Sequence, residues 1–148
     1  MITINKKIII NAPVEKIFAY VSKPSNLTQI WPSLMQIKNE KLLPNGKYIF
    51  EWIYKMAGVY LEGIGEYTDI VSNKWFIAKT RGAIESTMTW KFQPRGERTQ
   101  VTFIIEYGTP SASLNQLSEA IITKMNDQEA DLILANLKAR FTEPYVAR

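Results

Sequence analysis

The chain has 148 residues, of which 46% are hydrophobic and 22% charged, with a formal net charge of +4; this is the composition of one globular domain able to bury a core without covalent staples. It contains no cysteine and no histidine, which excludes disulfides, thiolate metal sites, cysteine nucleophiles and every Ser-His triad. Acid–base chemistry, if any, falls to carboxylates, tyrosines, lysines, arginines or bound water.

The basic excess is uneven: residues 1–60 hold eight basic and three acidic side chains, against six of each in 61–108 and four and five in 109–148. No Lys/Arg run is long enough to make a nucleic-acid footprint, so no nucleic-acid partner is expected. No tight acidic cluster announces a metal, and no metal or other cofactor is expected. The N-terminal residues lack an apolar signal core, and the apolar runs are too short to span a membrane. A cytoplasmic protein forming one domain over 1–148 is the expectation. Nothing in the sequence specifies an oligomeric state.

In chain order, Ile2, Ile4, Ile8 and Ile10 alternate with polar residues and predict a strand. Asn11-Ala12-Pro13-Val14-Glu15 reads as a helix start, with Asn11 as the capping side chain, and Ile17, Phe18 and Val21 follow at helical spacing. Lys23-Pro24-Ser25-Asn26 breaks this helix and opens a second short one that ends near Trp31-Pro32. From Met35 to Tyr107, turn signals at Pro44-Asn45-Gly46, Ala57-Gly58, Val71-Ser72-Asn73, Arg81-Gly82 and Pro94-Arg95-Gly96-Glu97 divide the chain into about six antiparallel strands. A helix free of proline and glycine then runs from about Leu114 to Thr142, about 40 Å long. The fold class is therefore α+β: one strand, two short helices, a strand meander and a long C-terminal helix.

Hairpin arithmetic assigns faces. A two-residue turn at Ala57-Gly58 pairs Met56 with Val59, Tyr54 with Leu61, Trp52 with Gly63 and Phe50 with Gly65. The inward face then carries Tyr48, Phe50, Trp52, Tyr54, Met56, Leu61 and Tyr67, and the two glycines let the opposing rings lie on backbone. The same arithmetic aligns Trp75 with Met88, Trp90 with Phe103 and Ser86 with Tyr107. It turns Trp75, Ile77, Lys79, Ile84, Ser86, Met88, Trp90, Phe103, Ile105 and Tyr107 inward, and Thr102 outward.

On the long helix, Leu114, Leu117, Ile121, Met125 and Leu132 form one apolar stripe, with Ile133, Leu134, Leu137 and Phe141 nearer the opposite side. Asn126-Asp127-Gln128-Glu129 is polar around a full turn. It borders a cavity or its mouth, or else marks a kink or the meeting of two consecutive helices.

The segment Ile10-Asn11-Ala12-Pro13-Val14-Glu15-Lys16-Ile17-Phe18-Ala19-Tyr20-Val21, followed by Asn26-Leu27 and Trp31-Pro32, resembles the opening of the START-like (SRPBCC) superfamily, of the polyketide cyclase/dehydrase or coenzyme-Q-binding type. Gly82 to Pro94, then Val101-Thr102 and Glu106-Tyr107, resemble its late hairpin, and Asn136 to Arg140 its helix end. The resemblance implies a helix-grip fold: a curved antiparallel sheet of about seven strands wrapped around the C-terminal helix. It also implies an internal cavity entered near the short helices, with Trp31 at the entrance. The glycine-rich loop of the plant-allergen branch is replaced by Pro44-Asn45-Gly46-Lys47, and the histidine and cysteine ligands of the iron–sulfur branch cannot exist here.

Three functional readings follow. In the first, the cavity binds or carries a small hydrophobic ligand (lipid, isoprenoid or aromatic, polyketide-like). Its contacts would be Trp31, Tyr48, Phe50, Trp52, Tyr54 and Leu61 on the early elements. Trp75, Ile77, Ser86, Met88, Trp90, Phe103 and Tyr107 would follow on the later strands, with Ile121, Met125 and Glu129 on the helix. The alternative is that these aromatics simply fill the core. In the second reading, a cofactor-independent cyclase, dehydratase or hydrolase uses Glu129 with Tyr54 or Tyr107 for proton transfer, and Lys79 polarises a carbonyl. Against it, Glu129 also reads as a solvent-facing helix residue and Lys79 as one that snorkels to water. The third is a protein-interaction module of the co-chaperone kind, which no residue selects.

Overall fold

The computed structural model describes residues 2–108 and 119–141, with backbone only at 119 and 120. Strand β1 (Ile2–Ile10) leads into helix α1 (Val14–Val21) and a 3₁₀ helix (Pro24–Gln29). Six strands follow: β2 (Leu34–Leu42), β3 (Tyr48–Met56), β4 (Val59–Val71), β5 (Trp75–Gly82), β6 (Ser86–Arg95) and β7 (Arg98–Tyr107). Helix α2 spans Glu119–Arg140. All strands form one antiparallel sheet in the order β1-β7-β6-β5-β4-β3-β2. Its inner face and α2 enclose a core that includes Ile4, Ile10, Trp90, Phe103, Ile133 and Leu137. This is the helix-grip arrangement, with the strand number and element order that the sequence predicts.

Local chemistry explains the elements. Ala57 and Gly58 both take positive φ, 50° and 81°, which makes a two-residue hairpin turn whose twist matches its strands. It sets the predicted register, with Met56 opposite Val59, Trp52 opposite Gly63 and Phe50 opposite Gly65. A Cβ on Gly63 would stand 2.4 Å from the Trp52 ring and 2.1 Å from the Arg81 carbonyl oxygen; one on Gly65 would stand 2.4 Å from the Phe50 ring. Only glycine fits beneath these rings. At the start of α1 the cap position is Pro13, with no side-chain cap, so Asn11 does not have the capping role its type suggests. The second short helix is tied to the sheet through Glu40 on β2, which accepts from the Ser25 backbone N–H (2.7 Å) and Lys23 Nζ (2.6 Å).

Two face assignments are corrected. Opposite Met88 lies Ala78, not Trp75. The shift is three residues, and an odd shift turns every side chain of the strand over. Phe76 and Ala78 are therefore fully buried, while Trp75 and Lys79 are exposed and Ile77 is half-buried on the outer face. The cause is the β5–β6 connection. β5 leaves β6 at Thr80, opposite Ser86, yet stays paired with β4 through Arg81 and Gly82. The loop is thus wider than the tight turn read at Arg81-Gly82.

Helix α2 is also turned. Ile121, Met125 and Leu132 are exposed, whereas Ile122, Ala130, Ile133, Leu134 and Leu137 are buried. The helix is continuous through Asn126–Glu129, so two separate helices do not meet at that polar turn. Leu114 and Leu117, and the predicted helix start, fall outside the described residues. Thr102, read as facing water, is buried at 9% exposure. No helix among the described residues is long and apolar enough to cross a membrane.

Candidate functional site

The inner face of the sheet is filled unevenly. Phe76 stacks on Tyr67 at 4.9 Å and lies against Trp90 and Phe92, and Phe18 of α1 meets Phe76 and Phe92 edge-on. Toward the other end of the strands, under α2, a cavity of about 100 Å³ remains.

Its walls are built from four places. From β3 come Phe50, Trp52, Tyr54 and Met56; from β5 and β6, Thr80, Ser86 and Met88; from β7, Phe103, Ile105 and Tyr107; and from α2, Asn126, Glu129, Ala130 and Ile133. Leu27, Trp31, Leu34, Ile37 and Ile84 complete the lining. The Trp52 indole N–H is buried without a partner among the described residues, so that ring is held by packing on Gly63 rather than by hydrogen bonding.

Polar groups converge on the α2 side. The Glu129 carboxylate accepts from Trp31 Nε1 at 2.7 Å and from the hydroxyls of Tyr54 and Ser33, both in close contact. Trp31 is held for this by its backbone N–H to Leu27 (2.9 Å), and Ser33 by its carbonyl, which accepts from Lys55 N–H (2.8 Å). The Trp31 ring stands edge-to-face with Tyr54 (6.1 Å, 88°) and Phe103 (5.6 Å, 83°). One turn back on α2, Asn126 Nδ2 donates to the Tyr107 hydroxyl at 2.8 Å. Tyr107 faces Ser86 across β6–β7, and Ser86 shares a short hydrogen bond with Thr80. Burial first, and then the charge of Glu129, push the Tyr54 phenol well above its ordinary range, so it stays protonated and acts as a donor.

Of the predicted contacts, the cavity wall includes Trp31, Phe50, Trp52, Tyr54, Ser86, Met88, Phe103, Tyr107 and Glu129. Tyr48, Leu61 and Trp90 lie elsewhere on the inner side. Trp75, Ile77, Ile121 and Met125 are directed away by the two face corrections. Lys79 sits on the outer face opposite Glu66 and Thr87, where it cannot polarise a ligand in the cavity. Of the two proposed partners, Glu129 meets Tyr54, whereas Tyr107 is bonded by Asn126. Asn126 and Ile133 lay within reach of sequence reasoning, being three and four residues from Glu129 on one helix face. Ser33 carried no such signal, because only the tertiary fold brings it to α2.

A second hollow, about 300 Å³, lies on the outer face among Glu66, Lys79, Arg81, Glu85 and Glu106. It is the larger of the two, but its walls are charges of both signs that water solvates. The aromatic-walled cavity is the better ligand site.

This sheet-and-helix grip around an apolar cavity is the architecture of START-like proteins. The profile of the family described as polyketide cyclase / dehydrase and lipid transport matches residues 1–142, and the chain belongs to that family. Among solved structures it is similar to TTHA0849 from Thermus thermophilus (16% identity, TM-score 0.81, covering 95% of this chain and 97% of that one). It is also similar to a START superfamily protein from Mycobacterium smegmatis (12%, 0.78, 94% and 96%) and to the Zhui aromatase/cyclase from a Streptomyces species (12%, 0.76, 94% and 92%). At these identities the likeness is one of fold. No curated protein sequence matches.

Proposed function

We propose that this protein binds a small, largely apolar ligand in the cavity beneath α2 and holds or carries it away from water. The observation that carries the reading is the site's construction: aromatic and aliphatic walls, with hydrogen-bonding groups gathered on one side at Glu129, Tyr54 and Asn126. Apolar burial supplies affinity in such a site, and a few placed polar groups orient the ligand. Membership of a family whose description includes lipid transport supports it. At about 100 Å³ the cavity is smaller than the roughly 150 Å³ that accepts a benzene ring, so a larger ligand must displace Trp31 or α2. Native mass spectrometry of the purified protein, with a crystal structure from the same sample, tests the reading. A bound apolar mass lodged against Glu129 is the expected result; a cavity closed by its own side chains with no bound mass refutes it.

One contact favours a second reading, a cyclase or dehydratase. The Tyr54 hydroxyl and the Glu129 carboxylate form a hydrogen-bonded pair in the cavity wall, which is the arrangement proton transfer at a carbonyl compound requires. Pentane-2,4-dione is a simple probe. If Glu129 acts as base, the protein accelerates deuterium exchange at its central carbon, and Glu129→Gln lowers that rate by about a hundredfold or more. Equal rates in both proteins remove the catalytic reading and leave the binder.

A further inference from the structure

We infer that the cavity selects its ligand by charge: it takes a small aliphatic molecule bearing a protonated amine, seated against Glu129, and rejects carboxylates. The inference rests on the reading of the cavity as a ligand site. Among the described residues Glu129 is the one acidic side chain in the wall, and no lysine or arginine joins it there. Among the described residues, Lys6 pairs with Asp127 and Asp131 and Lys23 with Glu40, all outside the cavity wall.

Three donors, from Trp31, Ser33 and Tyr54, meet the Glu129 carboxylate. All three are neutral. They hold the group in place without supplying a countercharge, and a carboxylate has about four acceptor positions, so one is left for a ligand. The surrounding rings act in the same direction. Trp31 stands nearly perpendicular to Tyr54 and to Phe103, and all three rings line the cavity with Glu129. Ring faces attract cations. A carboxylate ligand would instead meet a like charge, with no cation in the wall to receive it. The net charge of +4 pulls anions toward the surface, so discrimination against them must arise inside the cavity.

The test uses three molecules of one shape small enough for the cavity: isobutylamine, isobutanol and isobutyrate. Each is titrated into the whole protein near neutral pH at constant ionic strength, and the Trp31 indole N–H is followed by two-dimensional NMR. The expected order is amine, alcohol, carboxylate, with the amine at least about tenfold tighter than the alcohol and isobutyrate weakest. The alcohol binding as tightly as the amine, or isobutyrate binding best, overturns the charge rule while the cavity remains a ligand site. Binding of none of the three overturns the ligand site and the charge rule together. Glu129→Gln is expected to erase the preference for the amine, whereas Asp127→Asn, which removes a charge from α2 outside the cavity, preserves it. Preference retained in Glu129→Gln contradicts the role assigned to Glu129, and if that variant does not fold the wild-type series still decides.

Discussion

The two halves of the sheet's inner face use the same kinds of residue to opposite ends. In the packed half, ring meets ring: Tyr67, Phe76, Trp90 and Phe92 lie against one another, and Phe18 closes the layer from α1. In the open half the aromatics are as numerous, but their neighbours are small. Gly63 and Gly65 lie under Trp52 and Phe50, and Thr80 and Ser86 stand where the packed half has larger side chains. A cavity in this fold is therefore set less by the aromatic residues than by the small residues opposite them. Close packing is the default of protein interiors, and the open half departs from it where hydrogen-bonding groups gather.

Substitutions can break or sharpen this contrast. The largest effect is expected for Phe76→Ala, which empties the centre of the packed half at a fully buried position. Chemical denaturation should show a loss of about 3–5 kcal/mol. Gly63→Ala comes next: its Cβ would overlap both the Trp52 ring and the Arg81 carbonyl, costing about 1–3 kcal/mol and displacing a cavity wall. Tyr54→Phe removes one of three donors to Glu129 and should cost about 0.5–1.5 kcal/mol, with ligand affinity changing more than stability. Equal losses of stability and affinity in all three variants would erase the distinction between the halves.

The smallest effect concerns acid. Burial raises the Glu40 pKa, but the hydrogen bonds from Lys23 and Ser25 outweigh it and leave the carboxyl below its ordinary value of 4.5. A folded-state pKa below the unfolded one means a stabilisation that is complete above the unfolded value and lost as pH falls through the folded one. Denaturation midpoints measured on either side of pH 4.5 should therefore fall on the acid side, and less steeply in Glu40→Gln.

Much of this was legible in the residues. The β3–β4 hairpin was readable down to its register, because Ala57-Gly58 admits a two-residue turn and the facing glycines match the rings. β6–β7 was equally clear at Trp90–Phe103 and Ser86–Tyr107. β5 was not, because its run Trp75-Phe76-Ile77-Ala78 is apolar at consecutive positions and has no alternation to fix a face; the width of the 81–85 connection alone decides it. The stripe on α2 misled for a related reason: the exposed Ile121, Met125 and Leu132 are as hydrophobic as the buried side, which includes Ile122 and Ile133. Within the site, Glu129 was identifiable with Tyr54 or Tyr107 as its partner, and only the fold selects Tyr54. The Ser33 contact and the Asn126–Tyr107 bond depend on long-range packing that no local pattern encodes.

The central claim is that ligand enters the open half and leaves the packed half undisturbed. The four tryptophan indoles report on it directly, since Trp31 and Trp52 line the cavity, Trp90 lies in the packed half and Trp75 is on the outer face. Indole N–H spectra of the protein before and after removal of co-purified small molecules should show Trp31 and Trp52 shifting while Trp90 and Trp75 hold still. Shifts confined to Trp75, with both cavity indoles unmoved, would place the binding surface outside the sheet and contradict the account.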